Sequence, residues 1–216
     1  MSALELRLIS VNVALPRPAG ERNGEPFDSA FQKRPVAMAT IKVGKTNLAG
    51  DAQANLEKHG GPERAVYAYP TDNWPWWESE HRLACAPGTF GENLTVAGAG
   101  EDVIAIGDRF SWGDTVLEVS QPRVPCHKFQ RFSGREDASA LMTLSGRCGW
   151  LFRVLNPGWA PVRDARLVRI RESGDPSVRE VFLAGSDLRT DLACRRALAE
   201  APGLSPEWRK KLAREA

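Results

Sequence analysis

The chain has 216 residues, 42% of them hydrophobic and 26% charged, which suits one full domain with a small addition and lies far from the composition of disordered chains. Lys and Arg number 29 against 27 Asp and Glu, with no long run of one sign before the closing RKKLAREA, which argues against a surface dedicated to duplex nucleic acid. No stretch approaches the roughly 18–20 apolar residues of a membrane-spanning helix, and Glu5 and Arg7 interrupt the opening apolar segment where a signal peptide would be continuous; a cytoplasmic protein is expected.

In chain order, LELRLISVNVAL alternates and reads as a strand, and VAMATIKVG repeats the pattern. After Pro70, Thr71 or Asp72 is placed to cap a helix through NWPWWESEHRLA, with Pro75 tolerated in its first turn. Trp74 and Trp77 lie three apart on one face of that helix and are expected in the core. ENLTVAG is a further strand, and DRF-SWGD-TVLEV reads as a hairpin turned by Gly113 and Asp114. SQPRVPCHKFQ reads as extended, EDASALMTLS as a helix stopped by Gly146, and GWLFRVLNPG and ARLVRIRES as strands. Many short, closely spaced strands predict a mainly β (α+β) fold of barrel or sandwich type. Beyond GDP at 174–176, three short helices with caps at Ser177, Asp187 and Ser205 form an expected appendage over residues 177–216, following a main domain over 1–172. The basic last turn of the third suits a helix C-terminus without a ligand.

Four segments concentrate residues that packing does not need. In NLAGDAQANLEKHGGPERAVYAYP, Asp51 follows a glycine and His59 precedes Gly60 and Gly61, an arrangement that serves a tight turn or lets backbone amides approach an anion. In TFGENL, Glu92 and Asn93 can bond the edge of a heterocycle or cap the strand. In SQPRVPCHKFQ, Pro122 and Pro125 stiffen the backbone around Cys126, and Arg123, His127 and Lys128 favour its thiolate. Neighbours in an extended segment face opposite ways, so His59 rather than His127 is the expected partner of Cys126. The fourth is the tryptophan group at Trp74, Trp76 and Trp77, to which no function is assigned. Cys85, Cys148 and Cys194 lack such electropositive settings, and no close cysteine pair exists to build a zinc ribbon.

GDAQANLEKHGGPERAVYAYP, then FGENL, then GDRFSWGDTVLEVSQPRVPCHK and SGRCGWLFRVLNPG, in this order, resemble the MOSC domain of the YiiM-like branch, over nearly the whole chain and including a small three-helix tail. The resemblance implies a MOSC-type β-barrel-like fold binding molybdenum cofactor (molybdopterin), with Cys126 as the thiolate on the metal, a soft ligand matching the dithiolene sulfurs. It implies His59 and Arg123 as catalytic residues beside Cys126. Lys33 or Arg34 and Lys128 would supply pocket cations, while Gly60, Gly61 and Asn93 would line the cofactor. The implied activity is reduction of N-hydroxylated bases such as 6-hydroxylaminopurine, with His59 as proton donor. Electrons would come from a separate reductase, because no haem, flavin or iron–sulfur spacing is present. Two rivals stand beside this reading: a cofactor carrier or sulfur-transfer module without turnover, and a Cys126–His59 hydrolase, which lacks a third orienting group.

Overall fold

A computed structural model describes residues 3–187 and 190–214, except for the side chains of Lys58 and His59. The chain opens with β1 (Glu5–Val13), β2 (Arg17–Arg22), β3 (Glu25–Ser29), β4 (Arg34–Pro35) and β5 (Thr40–Val43), followed by the one-turn helix α1 (Leu56–His59). Next come β6 (Val66–Pro70), α2 (Trp74–His81), β7 (Leu94–Ala97), β8 (Arg109–Trp112) and β9 (Thr115–Pro122). Two helices, α3 (His127–Ser133) and α4 (Ala138–Ser145), precede β10 (Trp150–Asn156), β11 (Gly158–Pro161) and β12 (Arg166–Arg171). The helices α5 (Val178–Ser186), α6 (Leu192–Ala199) and α7 (Pro206–Leu212) end the described chain.

Seven strands run in the order β12-β8-β9-β10-β6-β7-β1, and β1 pairs back onto β12 through Glu5, Leu6 and Arg7, so the sheet closes into a barrel and the expected mainly β fold holds. Its one parallel pairing among the described residues joins β6 to β7, the two strands connected through α2, as a parallel pair needs a crossover. The alternation read in β1 is met by buried Leu6 and Leu8 between exposed Glu5 and Arg7. Every residue of β6 and nearly every residue of β9 is buried, which fits strands covered on both faces.

Several local expectations change. Neither Thr71 nor Asp72 caps α2: a 3₁₀ turn occupies Thr71–Asn73, and the Asp72 carboxylate accepts from the Gly98 amide instead. Trp77 is fully buried as expected, whereas Trp74 is only partly so. The extended reading of CHKFQ is wrong beyond Cys126, because helix α3 starts at His127. Its signal was hidden by the prolines before it, and Phe129 now packs on Trp77 and Phe90 with ring centroids 5.6 and 5.4 Å apart. The β2–β3 hairpin was not anticipated; both its strands are largely polar and exposed. In the appendage, Ser177 forms a capping box with Glu180 and Ser205 caps α7, but α6 is capped by Asp191 rather than Asp187, which ends α5.

The appendage is pinned to the barrel. Ser205 donates its amide to the Ser120 carbonyl at 2.9 Å, and Arg153 joins Glu63 and Glu118 to the Gly203 carbonyl. Gly203 and Gly107 meet backbone to backbone: a Cβ at Gly203 would lie 2.4 Å from the Gly107 Cα. Overpacking of this kind costs about 1–3 kcal/mol. Gly203→Ala should therefore lower the thermal midpoint by several degrees, and a variant melting with wild type would mean that α7 does not seat on the barrel as described.

Candidate functional site

A cavity of about 610 Å³ opens at one end of the barrel, walled by β6, β9 and β10, the segments around Phe31 and Asp51, the start of α3, and α7. That volume is typical of a pocket for a drug-sized or cofactor-sized molecule. Cys126 lies in its wall. Pro125 keeps the preceding backbone extended, Cys126 itself is extended (φ −133°, ψ 164°), and the helix begins at the next residue. The thiol thereby meets the first amides of α3.

Burial alone would push the Cys126 thiol up, but the Arg123 guanidinium, the hydrogen bond it donates to Sγ at 3.6 Å, and the backbone amides of Lys128 and Phe129 outweigh it and hold the pKa below the ordinary cysteine value. Arg123 is held in turn over the ring of Tyr67, 5.4 Å from its centroid, and Tyr67 is fixed by donating its hydroxyl to the Cys148 carbonyl at 2.9 Å. At Cys148 burial wins, with Glu101 adding to it against the Arg123 amide and charge, and raises the thiol well above the usual value; Cys85 is pushed up to about 12, chiefly by burial.

The opposite wall is a buried polar chain. Asn93 accepts from the Tyr67 amide at 3.1 Å and donates to the Asn12 carbonyl and to Asp51 Oδ2, at 3.2 and 2.9 Å. Asp51 Oδ1 accepts from the Ala14 amide and from Lys33 Nζ. Lys33 is the cavity cation of the pair offered by the sequence: Arg34 lies exposed on β4, paired with Val13, and does not line the cavity. Burial lowers the Lys33 pKa, with Asp51 acting against that.

Lys128 lines the cavity, but Gly60 and Gly61 do not. Their work is conformational. A Cβ at Gly60 would lie 2.5 Å from the Leu56 carbonyl oxygen, and Gly61 has φ 97°, a value that favours glycine at the start of the 3₁₀ turn Pro62–Arg64. That turn carries Arg64 into the cavity, where it pairs with Glu207 of α7. The side chain of His59, the expected partner of Cys126, lies outside the described residues. His127 turns elsewhere, its Nδ1 3.2 Å from Arg22 and its ring edge-on to Phe27. Glu92 does not face the cavity: fully buried, it accepts from the Gly88 and Phe90 amides and from Thr95, and so folds the FGEN loop.

Sequence reasoning missed Arg64, Glu57, Gln121, Glu207 and Lys211, all of which line the cavity. The basic turn of α7 was read as needing no ligand, yet Lys211 reaches the cavity and lies 4.4 Å over the Trp208 ring. Gln121 was legible only as a neighbour of Pro122. It is 2% exposed, and its Oε1 has no partner, a state that costs about 1–3 kcal/mol for a buried polar group. Together the lining sets five cations (Lys33, Arg64, Arg123, Lys128, Lys211) against three carboxylates (Asp51, Glu57, Glu207). Among the described residues no three His, Cys, Asp or Glu side chains converge as a metal site. Among the described residues no helix is long and apolar enough to cross a membrane.

A family profile described as MOSC domain matches residues 55–170. The chain is 35% identical over 189 residues to protein YiiM of Escherichia coli, covering 83% of this chain and 84% of that one. It is 38% identical over 179 residues to a Gibberella moniliformis protein named reductase, covering 73% of this chain and 32% of that one. The crystal structure of YiiM from Geobacillus stearothermophilus superposes with a TM-score of 0.79 at 28% identity, covering 96% of this chain and 97% of that one.

The electrostatics around Cys126 predict its reactivity. Near neutral pH, iodoacetamide should alkylate Cys126 before Cys85 and Cys148, as read by peptide mass spectrometry. Arg123→Met should slow that labelling, because the thiol pKa rises and less thiolate is present; at high pH, above both values, the two proteins should label alike. Equal rates near neutrality would show that Arg123 does not hold the thiolate.

Proposed function

This chain belongs to the MOSC domain family, in its YiiM-like group, and from that premise we propose that it holds molybdenum cofactor through Cys126 and reduces N-hydroxylated compounds to amines. The observation that carries the proposal is Cys126 itself: a lone thiol held toward thiolate by Arg123, in the wall of a cavity rich in cations, with no cluster of three metal-ligating side chains among the described residues. A single soft ligand suits a metal that arrives with two dithiolene sulfurs, and the cation excess suits the phosphate that the same cofactor carries.

When bound, the cofactor supplies two-electron chemistry, by which R–NHOH, two protons and two electrons become R–NH2 and water. The residues of this chain do the rest. Cys126 would hold the metal, while Lys33, Arg123 and Lys128 receive anionic groups. Asp51 and Asn93 keep Lys33 in place, and Tyr67 keeps Arg123 in place. His59 is the proposed proton donor to the departing hydroxyl, on the ground that its ordinary pKa lies near working pH. Electrons would reach the site from a separate reductase protein. The name reductase carried by the Gibberella moniliformis relative is in keeping with redox chemistry.

The test is metal analysis of chain produced in a host with an intact molybdenum cofactor pathway. Near-stoichiometric molybdenum is expected in wild type and none in Cys126→Ser. Given an artificial electron donor, the loaded protein should convert 6-hydroxylaminopurine to adenine. His59→Ala should keep its molybdenum and lose most of that turnover. Molybdenum without turnover would favour the carrier reading, and wild-type protein lacking both molybdenum and pterin would sink the proposal.

A further inference from the structure

The cavity contains one buried polar atom whose hydrogen-bonding need nothing in the described structure meets. Gln121 stands near the end of β9, opposite Leu151 of β10, and both residues line the cavity. The pairing of β9 with β10 slips by one residue between Val119 and Gln121, leaving Ser120 as the extra residue; slips of this kind re-aim neighbouring side chains and gather next to functional sites. Ser120 steadies the slip with its one hydroxyl hydrogen shared between the Glu63 and Leu151 carbonyls, at 2.6 and 2.9 Å. The other amide of this region, Asn93, has its oxygen and nitrogen both engaged within the protein. Gln121 Oε1 has no partner. The residue lines the cavity, so its carboxamide lies beside whatever fills it.

We infer that Gln121 is a specificity-determining residue, its carboxamide oxygen accepting an N–H from an uncharged, amino-substituted nitrogen heterocycle. An acceptor calls for a donor. A protonated amine would meet the five lining cations and their net positive field, which leaves neutral N–H groups, as on the edge of a pterin or an aminopurine. Both sources share one chemistry. The inference rests on the cofactor and substrate reading above only for which of the two presents that edge. A ligand that fills the cavity without such a donor leaves the atom unpaired, and polar sites reject misfits strongly for this reason.

The test uses Gln121→Met, which keeps the side-chain size and removes the acceptor, and Gln121→Glu, which keeps an acceptor at the same reach. The Met variant should melt no lower than wild type, because it deletes an unpaired buried oxygen rather than a bond. Two readouts separate the sources: pterin and molybdenum per chain in protein from a cofactor-competent host, and calorimetric binding of adenine to protein made without cofactor. If adenine affinity falls about tenfold or more in Gln121→Met with pterin content unchanged, Gln121 reads the substrate base. If pterin content falls instead, it reads the cofactor. Either supports the inference, provided Gln121→Glu retains the property that Gln121→Met loses. Unchanged adenine affinity and pterin content in Gln121→Met would overturn it, as would equal loss in both variants. Adenine binding that depends on Gln121 in a chain that never carries molybdenum would sink the cofactor reading alone, whereas normal loading and turnover with no effect of Gln121→Met would sink this inference alone.

Discussion

The side chain of Asn93 is the joint on which the barrel and the cavity both depend. Its oxygen accepts from β6 at Tyr67, and its nitrogen donates to β1 at the Asn12 carbonyl and to the carboxylate of Asp51. Its backbone runs the same way, donating to Tyr67 and accepting from Asn12. One residue just before β7 thus stitches together the two neighbours of that strand where the ladder ends. Because Asp51 holds Lys33 and Tyr67 underlies Arg123, two cavity cations take their positions from that joint. A buried amide with every polar atom engaged fixes one geometry, since any alternative leaves a desolvated group unpaired.

The aromatic cluster performs the corresponding task on the other flank. Trp77 of α2 donates to the Tyr69 hydroxyl at 2.6 Å, Tyr69 stacks on Phe90 of the FGEN loop, and Phe129 of α3 packs edge-on to Trp77. Phe31, beside the cavity, stacks on Phe132 with centroids 5.5 Å apart. The helix that presents Cys126 is therefore anchored by its own apolar side chains to three separate segments. A thiol meant to meet a metal or a substrate sits on a short helix, and tertiary packing gives that helix the rigidity that seven residues lack alone.

The appendage also proves to be part of the site. Ser205 ties the start of α7 to β9, and Glu207 and Lys211 then lie one turn apart on the face that meets the cavity. The contrast between Asn93 and Gln121 is instructive in the same region. One amide is fully spent on holding the walls, while the other is kept unspent at a cost in stability, as expected where a protein reserves a group for a ligand.

The sequence by itself determined most of the barrel strands, the hairpin at Gly113, the barrel class, two of the three appendage caps, and the family, because hydrophobic period, turn residues and an ordered set of motifs are local and survive in one dimension. It also singled out Cys126, Arg123, Lys33, Lys128 and Asn93, which all line the cavity. It put Gly60 and Gly61 beside the cofactor, whereas they do not line the cavity, because a demand for unusual backbone looks the same whether a ligand or a turn imposes it. It left Lys33 and Arg34 undivided, since facing inward or outward depends on which strand β4 meets. Arg64, Gln121, Glu207 and Lys211 come from segments far apart in the chain, and no local pattern records that they share one cavity. Only closure of the barrel and seating of α7 on β9 bring them together, because proximity across long sequence separations is created by packing.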